Sequence, residues 1–388
     1  MSEYQYYEFQ AIDRSLTPAE MAELRRLSSR ATITSRLFAN EYHFGDFGGN
    51  AREMMARYFD AHVYLSNFGC RAVHFRLPKS AMDLRALLPF RLENVVEIRE
   101  TDSHLVLSFY NMEEPGRDSD VFDEEPGDVL SKMLPIRDSL ASGDLRLLYL
   151  GWLAGVQNGH LADDDLEPPV PAGLGQLDAV LTDFSDFLWL EPPLVQVAAR
   201  ASAVLREEWS AARLEARAWV ASRSREEKDD WLVRLLESAD GSVPLEIRGR
   251  FATARRAADP EMHAGGRRRT AGELRAQAEA LAAEWREAEE RRRAAKAAEE
   301  ERRRIERRQR HLAGLKGSEE KLWRSVTLVT EASAQSSYDM ALETLLDLRD
   351  LAVQSGDEAD FRNRLLELRE ARKRKSSFIR RLDLKGLK

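Results

Sequence analysis

The stretch TAGELRAQAEALAAEWREAEERRRAAKAAEEERRRIERRQRHL, residues 270–312, decides how the second half of this chain folds. It contains no proline, and its glycine, Gly272, stands near the start. Ala, Glu and Arg dominate, and all three are strong helix formers. Glutamate precedes arginine by four residues at Glu287–Arg291, Glu289–Arg293, Glu299–Arg303, Glu300–Arg304 and Glu306–Arg310. In that order each pair stabilises a helix by about 0.2–0.5 kcal/mol. The stretch therefore predicts one uninterrupted helix, roughly 60 Å long at 1.5 Å per residue. Leu274, Ala278, Leu281, Trp285 and Ala288 follow a four-three apolar seam, which then meets Arg292, Ala295, Glu299 and Arg302. Two apolar heptads fall short of the three or four that a sustained coiled coil needs. The expectation is a helix packed at its amino end and solvated through its middle, within a long charged segment 266–313.

Beyond it, Gly314 and Gly317 are expected to stop the helix, and Ser318 to cap the next, with Leu322, Trp323, Val326 and Val329 apolar. Tyr338 to Leu348 and Phe361 to Leu368 carry matching apolar faces around the turn Ser355-Gly356-Asp357. A short connection between matched faces predicts an antiparallel helical hairpin, so 318–388 reads as hairpin plus basic tail. Upstream, 129–260 reads as a helical domain. One helical stretch covers 128–158, including Leu147 to Leu153; further helices cover about 174–190 and 194–223; another carries Trp231, Leu232, Leu235 and Leu236.

The first 112 residues read differently. Tyr7, Phe9 and Ala11 alternate with Glu8 and Gln10; Val73, Phe75 and Leu77 alternate with Ala72, His74 and Arg76. That period of two predicts half-buried strands at 4–12, 35–44, 62–68 and 71–77, with a hairpin around Thr101 to Ser103. Thr17, Pro18 and Glu20 form a capping box that starts a helix. The fold class is α+β: a mixed, largely antiparallel amino-terminal domain, then a mainly helical region with one long charged helix and a carboxyl-terminal helical hairpin. The acidic stretch 113–128 reads as a linker or loop.

Composition narrows the function classes. The chain has 388 residues, 43% hydrophobic and 32% charged, with formal net charge −8. An acidic average does not favour nucleic acid, although the end of the chain is basic. Cys70 is the one cysteine, which excludes an intrachain disulfide and a multi-cysteine zinc site, and fits a reducing compartment. The amino end lacks the basic and apolar regions of a secretory signal, and no apolar run of about 18 residues predicts a membrane span. The expected location is the cytoplasm.

Candidate chemistry is sparse. Asp60, His62, Cys70 and His74 form the best reactive cluster, with Asp60 and His62 at strand spacing for a metal and Cys70 as nucleophile of a hydrolase. The plainer reading makes them edge or surface residues. Gly45 to Asn50 precede a helix but lack the pattern of a phosphate loop, so a strand-to-helix turn is expected. Asp163 to Glu167 read as a solvated acidic run. Arg304 and His311 share a helix face, a spacing that an arginine-rich segment produces by chance. Arg267 to Arg269, Arg291 to Arg293, Arg302, Arg303, Arg304, Arg372, Lys373, Arg374, Lys375, Arg380 and Arg381 are the cations that would meet phosphates or an acidic partner.

Three stretches resemble a family of bacterial proteins without a known activity: Tyr4 to Arg14 (YQYYEFQAIDR), Gly143 to Leu153 (GDLRLLYLGWL) and the closing segment Tyr338 to Leu382. The resemblance implies a bacterial, cytoplasmic protein, associated with proteins that carry a SWIM-type zinc finger. With Cys70 alone, this chain does not carry that finger itself. No cofactor is expected. The leading expectation is a non-enzymatic interaction or scaffold protein with a protein partner, a SWIM-type zinc-finger protein among the candidates. The alternatives are nucleic-acid association through the basic arm and tail, or a hydrolase in the amino-terminal domain.

Overall fold

The computed structural model describes the chain except residues 1–3, 44, 46, 113–125, 205–208, 238–240, 259–267 and 332–334. Most of the acidic linker and Arg267 therefore lie outside the described residues. The chain forms two compact units, Met1–Trp285 and Arg286–Lys388, and the division falls inside one helix.

Among the described residues the first unit is built on a seven-stranded antiparallel sheet. Its strands are β1 (Gln5–Gln10), β2 (Thr32–Ile33), β3 (Leu37–Tyr42), β4 (Ala61–Ser66), β5 (Arg71–Pro78), β6 (Val96–Glu100) and β7 (His104–Asn111), in the order β2-β3-β1-β4-β5-β7-β6. Alternation sorts the side chains. Val63, Val73, Phe75, Leu107 and Phe109 face a large core. Phe9 and Phe38 face a smaller one with Leu24, Met54, Met55 and Phe59. Helices α1 (Pro18–Leu27) and α2 (Ala51–Arg57) close the smaller core. The Thr17–Glu20 capping box starts α1 as expected, and Asn50 caps α2 by accepting from the Arg52 and Glu53 amides. Gly69 turns β4 into β5 at φ +91°, a conformation that a side chain strains.

The large core runs without a break from the sheet into helices. After α3 (Leu84–Leu87) these are α4 (Pro126–Met133), α5 (Ile136–Ala141), α6 (Arg146–Gln157), α7 (Ala179–Phe187), α8 (Pro192–Ala199), α9 (Trp209–Ser222), α10 (Arg225–Glu237) and α11 (Ser242–Ala258). The sheet and the segment read as a separate helical domain thus share one core, which also takes Leu274, Ala278 and Leu281. α6 is apolar all round because it is buried all round. Gly151 and Gly155 let it approach: a Cβ at Gly151 would lie 2.7 Å from the Phe109 ring, and one at Gly155 2.1 Å from Leu92.

Several helical stretches divide where the sequence reading ran them together. Residues 128–158 form three helices, because Pro135 stands at the start of α5 and Gly143, at φ +86°, ends the turn after it. Residues 194–223 hold α8 and α9, and α11 is a further helix that the apolar pattern did not mark. The leucines of α10 do not fill a core: Trp231 is buried, while Leu236 is 87% exposed.

The long helix is α12 (Ala271–Leu315), continuous through Gly314 and followed by Gly317 at φ +83°. The second unit adds α13 (Glu319–Glu331), α14 (Gln335–Ser355), α15 (Glu358–Ala371) and α16 (Ser376–Leu384). The expected hairpin is α14 and α15, and Trp323 of α13 packs against Phe361 with ring centres 5.7 Å apart. The segment read as a basic tail is instead structural: Phe378, Leu382 and Leu387 are buried in the core of the second unit.

Candidate functional site

The sheet places His62 and His74 opposite each other on β4 and β5. Phe9 stacks on the His62 ring at 3.8 Å, and the two imidazoles stack at 5.0 Å. His62 Nδ1 lies 2.8 Å from the Glu8 carbonyl oxygen. A carbonyl only accepts, so Nδ1 carries the proton. His74 Nδ1 lies 2.8 Å from Ser108 Oγ. Burial, then the neighbouring His74, pushes the His62 imidazole well below its ordinary value. Burial, then the Arg52 charge, pushes His74 down to about 3. Both rings are neutral at pH 7, built into the sheet as flat aromatic surface.

Asp60 does not join them. Its Oδ1 accepts from Arg76 Nη2 at 2.7 Å, and its Oδ2 accepts from the backbone amides of Ile12 and Asp13 at 2.7 and 2.9 Å. Arg137 of α5 donates to both Asp13 oxygens, at 3.0 and 2.8 Å, and from Nε to the Arg76 carbonyl at 2.9 Å. Burial alone would raise the Asp60 carboxyl, but Arg76 and Arg137 outweigh it and hold it below the usual range. Cys70 sits at the β4–β5 turn, its Sγ 3.9 Å from the Met112 carbonyl. Four residues along a strand put it about 13 Å from His74. The four residues read as a reactive cluster thus serve three separate surroundings. Among the described residues no three His, Cys, Asp or Glu groups converge as a metal ion requires.

A second buried network corrects two readings from sequence. Glu167, taken as part of a solvated run, is 2% exposed. It accepts from Arg269 Nε at 2.9 Å and Nη2 at 2.6 Å, and from the Tyr149 hydroxyl. Arg269 also donates to the Val197 carbonyl at 2.8 Å, and Arg268 to the Glu167 carbonyl. These arginines bind the residues before α12 into the first unit, where Arg269 is half-buried against Glu167 while Arg268 stays exposed. Asp13 with Arg137, and Glu167 with Arg269, are more than a hundred residues apart, so no local pattern announced them.

The cations of the second unit fall into two groups. Arg372 donates to Thr330 Oγ1 and the Thr327 carbonyl, and pairs with Glu331 at 3.3 Å. Lys375 donates to the Thr330 and Glu331 carbonyls at 2.8 Å, covering the carboxyl end of α13. Arg381 pairs with Asp339, and Lys373 with Glu370. Arg374 and Arg380 are exposed. So the basic segment spends much of its charge inside its own unit.

Along α12 the pattern is different. From Ala283 to His311 no residue is buried. Arg291 pairs with Glu287, Arg293 with Glu289 at 3.1 Å, Arg303 with Glu299 at 2.8 Å, and Arg310 with Glu306 at 3.5 Å, each at the expected spacing. Arg302 pairs with Glu299, and Arg304 with Glu301 rather than Glu300, both at 2.8 Å. Hydrogen bonds from Arg293 hold the Glu289 carboxyl below the usual range; bonds from Arg302 and Arg303 do the same for Glu299. Near the end, Arg308 pairs with Asp347 and, at 2.6 Å, with Asp350 of α14, while His311 Nε2 lies 2.8 Å from Asp347.

No protein family, curated protein or solved structure matches this chain. No helix among the described residues is long and apolar enough to cross a membrane.

Proposed function

We propose that this chain is a non-enzymatic interaction or scaffold protein of the bacterial cytoplasm, docking a protein partner through the solvated stretch of α12 and the helical bundle that follows it. One observation carries the reading: the 283–311 stretch of α12 keeps no residue buried. A helix of a globular unit normally hides an apolar stripe. This one is held by its own ion pairs and leaves both signs of charge exposed along its length. Such a surface suits a partner of complementary charge, and gives recognition and speed of encounter more than raw affinity. The buried histidines and carboxylates of the first unit have the geometry of structural links, which supports a role without catalysis.

The test is photo-crosslinking in cells from positions 294 and 297 of α12, beside a control position on α6. Protein adducts from the two α12 positions, absent from the control, are expected. Only uncrosslinked single chains from every position would remove the reading.

A further inference from the structure

We propose that the partner of this rod is a second copy of the same rod, laid antiparallel with its two-fold axis near Ala297. The inference rests on the docking role proposed above and names its partner. Charge along α12 runs in blocks. Glu287, Glu289 and Glu290 are followed by Arg291, Arg292, Arg293 and Lys296, then by Glu299, Glu300 and Glu301, then by Arg302, Arg303 and Arg304 and further arginines. Read from one end the signs go minus, plus, minus, plus; from the other end they go plus, minus, plus, minus. Two antiparallel copies therefore bring blocks of opposite sign together on the facing side, and the like-charged positions that the same register aligns, Arg291 with Arg303 and Arg292 with Arg302, lie on the side turned away.

The register can be stated. With Ala297 facing Ala297, Arg293 of one copy lies opposite Glu301 of the other, Glu290 opposite Arg304, and Glu287 opposite Arg307. At 3.6 residues per turn, Glu290, Arg293, Ala297, Glu301 and Arg304 fall within about 40° of one line down the helix, so they share the facing side. In a parallel pair each of these residues would face itself, like charge against like. Ala294, Ala297 and Ala298 leave the helix slim at the axis, where two rods must come closest. Among the described residues Glu290, on this side, has no ion pair within its own helix, and Arg304 of the second copy lies opposite to supply one. With no large apolar side chain on the facing side, the association is electrostatic and salt-sensitive.

Cysteine crosslinking tests this in the full-length chain with Cys70→Ser. Ala297→Cys places two thiols at the axis. Ala283→Cys places them 28 residues apart along the pair, about 42 Å. Oxidation at low salt is expected to give dimer from Ala297→Cys and none from Ala283→Cys, with the dimer lost toward about 0.5 M NaCl. Arg293→Glu is expected to weaken the dimer about tenfold in sedimentation equilibrium, and adding Glu301→Arg to restore it, with circular dichroism confirming equal helix content. Dimer from both cysteine positions, or monomer from Ala297→Cys at low salt, overturns the antiparallel pair. If a photo-crosslinker at 297 then captures a different protein, the docking role stands without this partner; if it captures nothing, both fall.

Discussion

Acid should loosen the first unit well before its carboxylates protonate, because of His74. The ring is buried beside His62 at 5.0 Å and meets Tyr110 edge-on at 5.4 Å; Arg52 of α2, whose charge acts on it, is bridged to Glu97 of β6 at 3.5 Å. Burial first, and Arg52 second, lowers its value from 6.5 to about 3. In the fold the imidazole stays neutral; in the unfolded chain it takes a proton as pH falls through about 6.5. The unfolded state then binds the extra proton, so stability is full above about pH 6.5 and declines until about pH 3. One such group changes stability by about 1.4 kcal/mol per pH unit, or about 2 kcal/mol by pH 5. His62, shifted the same way, steepens the slope. The variant His74→Gln keeps a group able to meet Ser108 Oγ but does not titrate. Urea unfolding read by hydrogen exchange of β4 and β5 amides, at pH 7, 6 and 5, should show the slope falling by about 1.4 kcal/mol per pH unit in the variant. An unchanged slope would refute the assignment of a neutral buried imidazole.

Three further outcomes follow from the packing. Gly249→Ala puts a Cβ 1.9 Å from the Ala81 carbonyl oxygen, so α11 must lift, and urea unfolding should show a loss of about 3 kcal/mol; a loss under about 0.5 would contradict the close approach. Glu167→Gln leaves the Arg269 guanidinium without its counter-charge and should cost about 3–5 kcal/mol in the same assay; a neutral result would mean that the guanidinium reaches water. Deleting residues 372–388 removes Phe378, Leu382 and Leu387 from the second core, so amides of α13 to α15 should lose protection from exchange; retained protection would show the segment to be a dispensable appendage after all.

Legibility from sequence followed the range of the forces involved. The capping box at Thr17–Glu20, the alternation of Val73 to Leu77 and the ion-pair ladder of α12 are local codes, and each appears where its spacing puts it. Non-local links were not legible. Nothing near Glu167 in the chain signals Arg269, so a buried carboxylate looked solvated, and nothing near Asp13 signals Arg137. The same limit misread the carboxyl end: the cations around Phe378 and Leu382 dominate the composition, but those two side chains decide where the segment lies. The cluster of Asp60, His62, Cys70 and His74 was close in sequence, yet the pleat and Arg76 send its members to different neighbours.

Charge thus does two kinds of work in this chain, and the physics separates them. In the first unit Asp60 with Arg76 and Glu167 with Arg269 are desolvated, so their attraction goes largely to offset lost hydration. What remains is geometry: each carboxylate accepts from guanidinium and from other donors at once, which fixes strand, helix and loop in one arrangement. Along α12 the pairs are exposed, and water and salt screen each of them to a small contribution. A rod cannot be nucleated from such terms, since the first helical turn is the unfavourable step. Here it need not be. Leu274 and Leu281 pack one end of α12 within the first unit, and Leu312 is buried at the other end within the second. Helix already formed at those ends only has to propagate, and Ala, Glu and Arg propagate at nearly the lowest cost available. A run of residues with no buried face can then remain helical while both signs of its charge stay in water, which is the condition that docking along it requires.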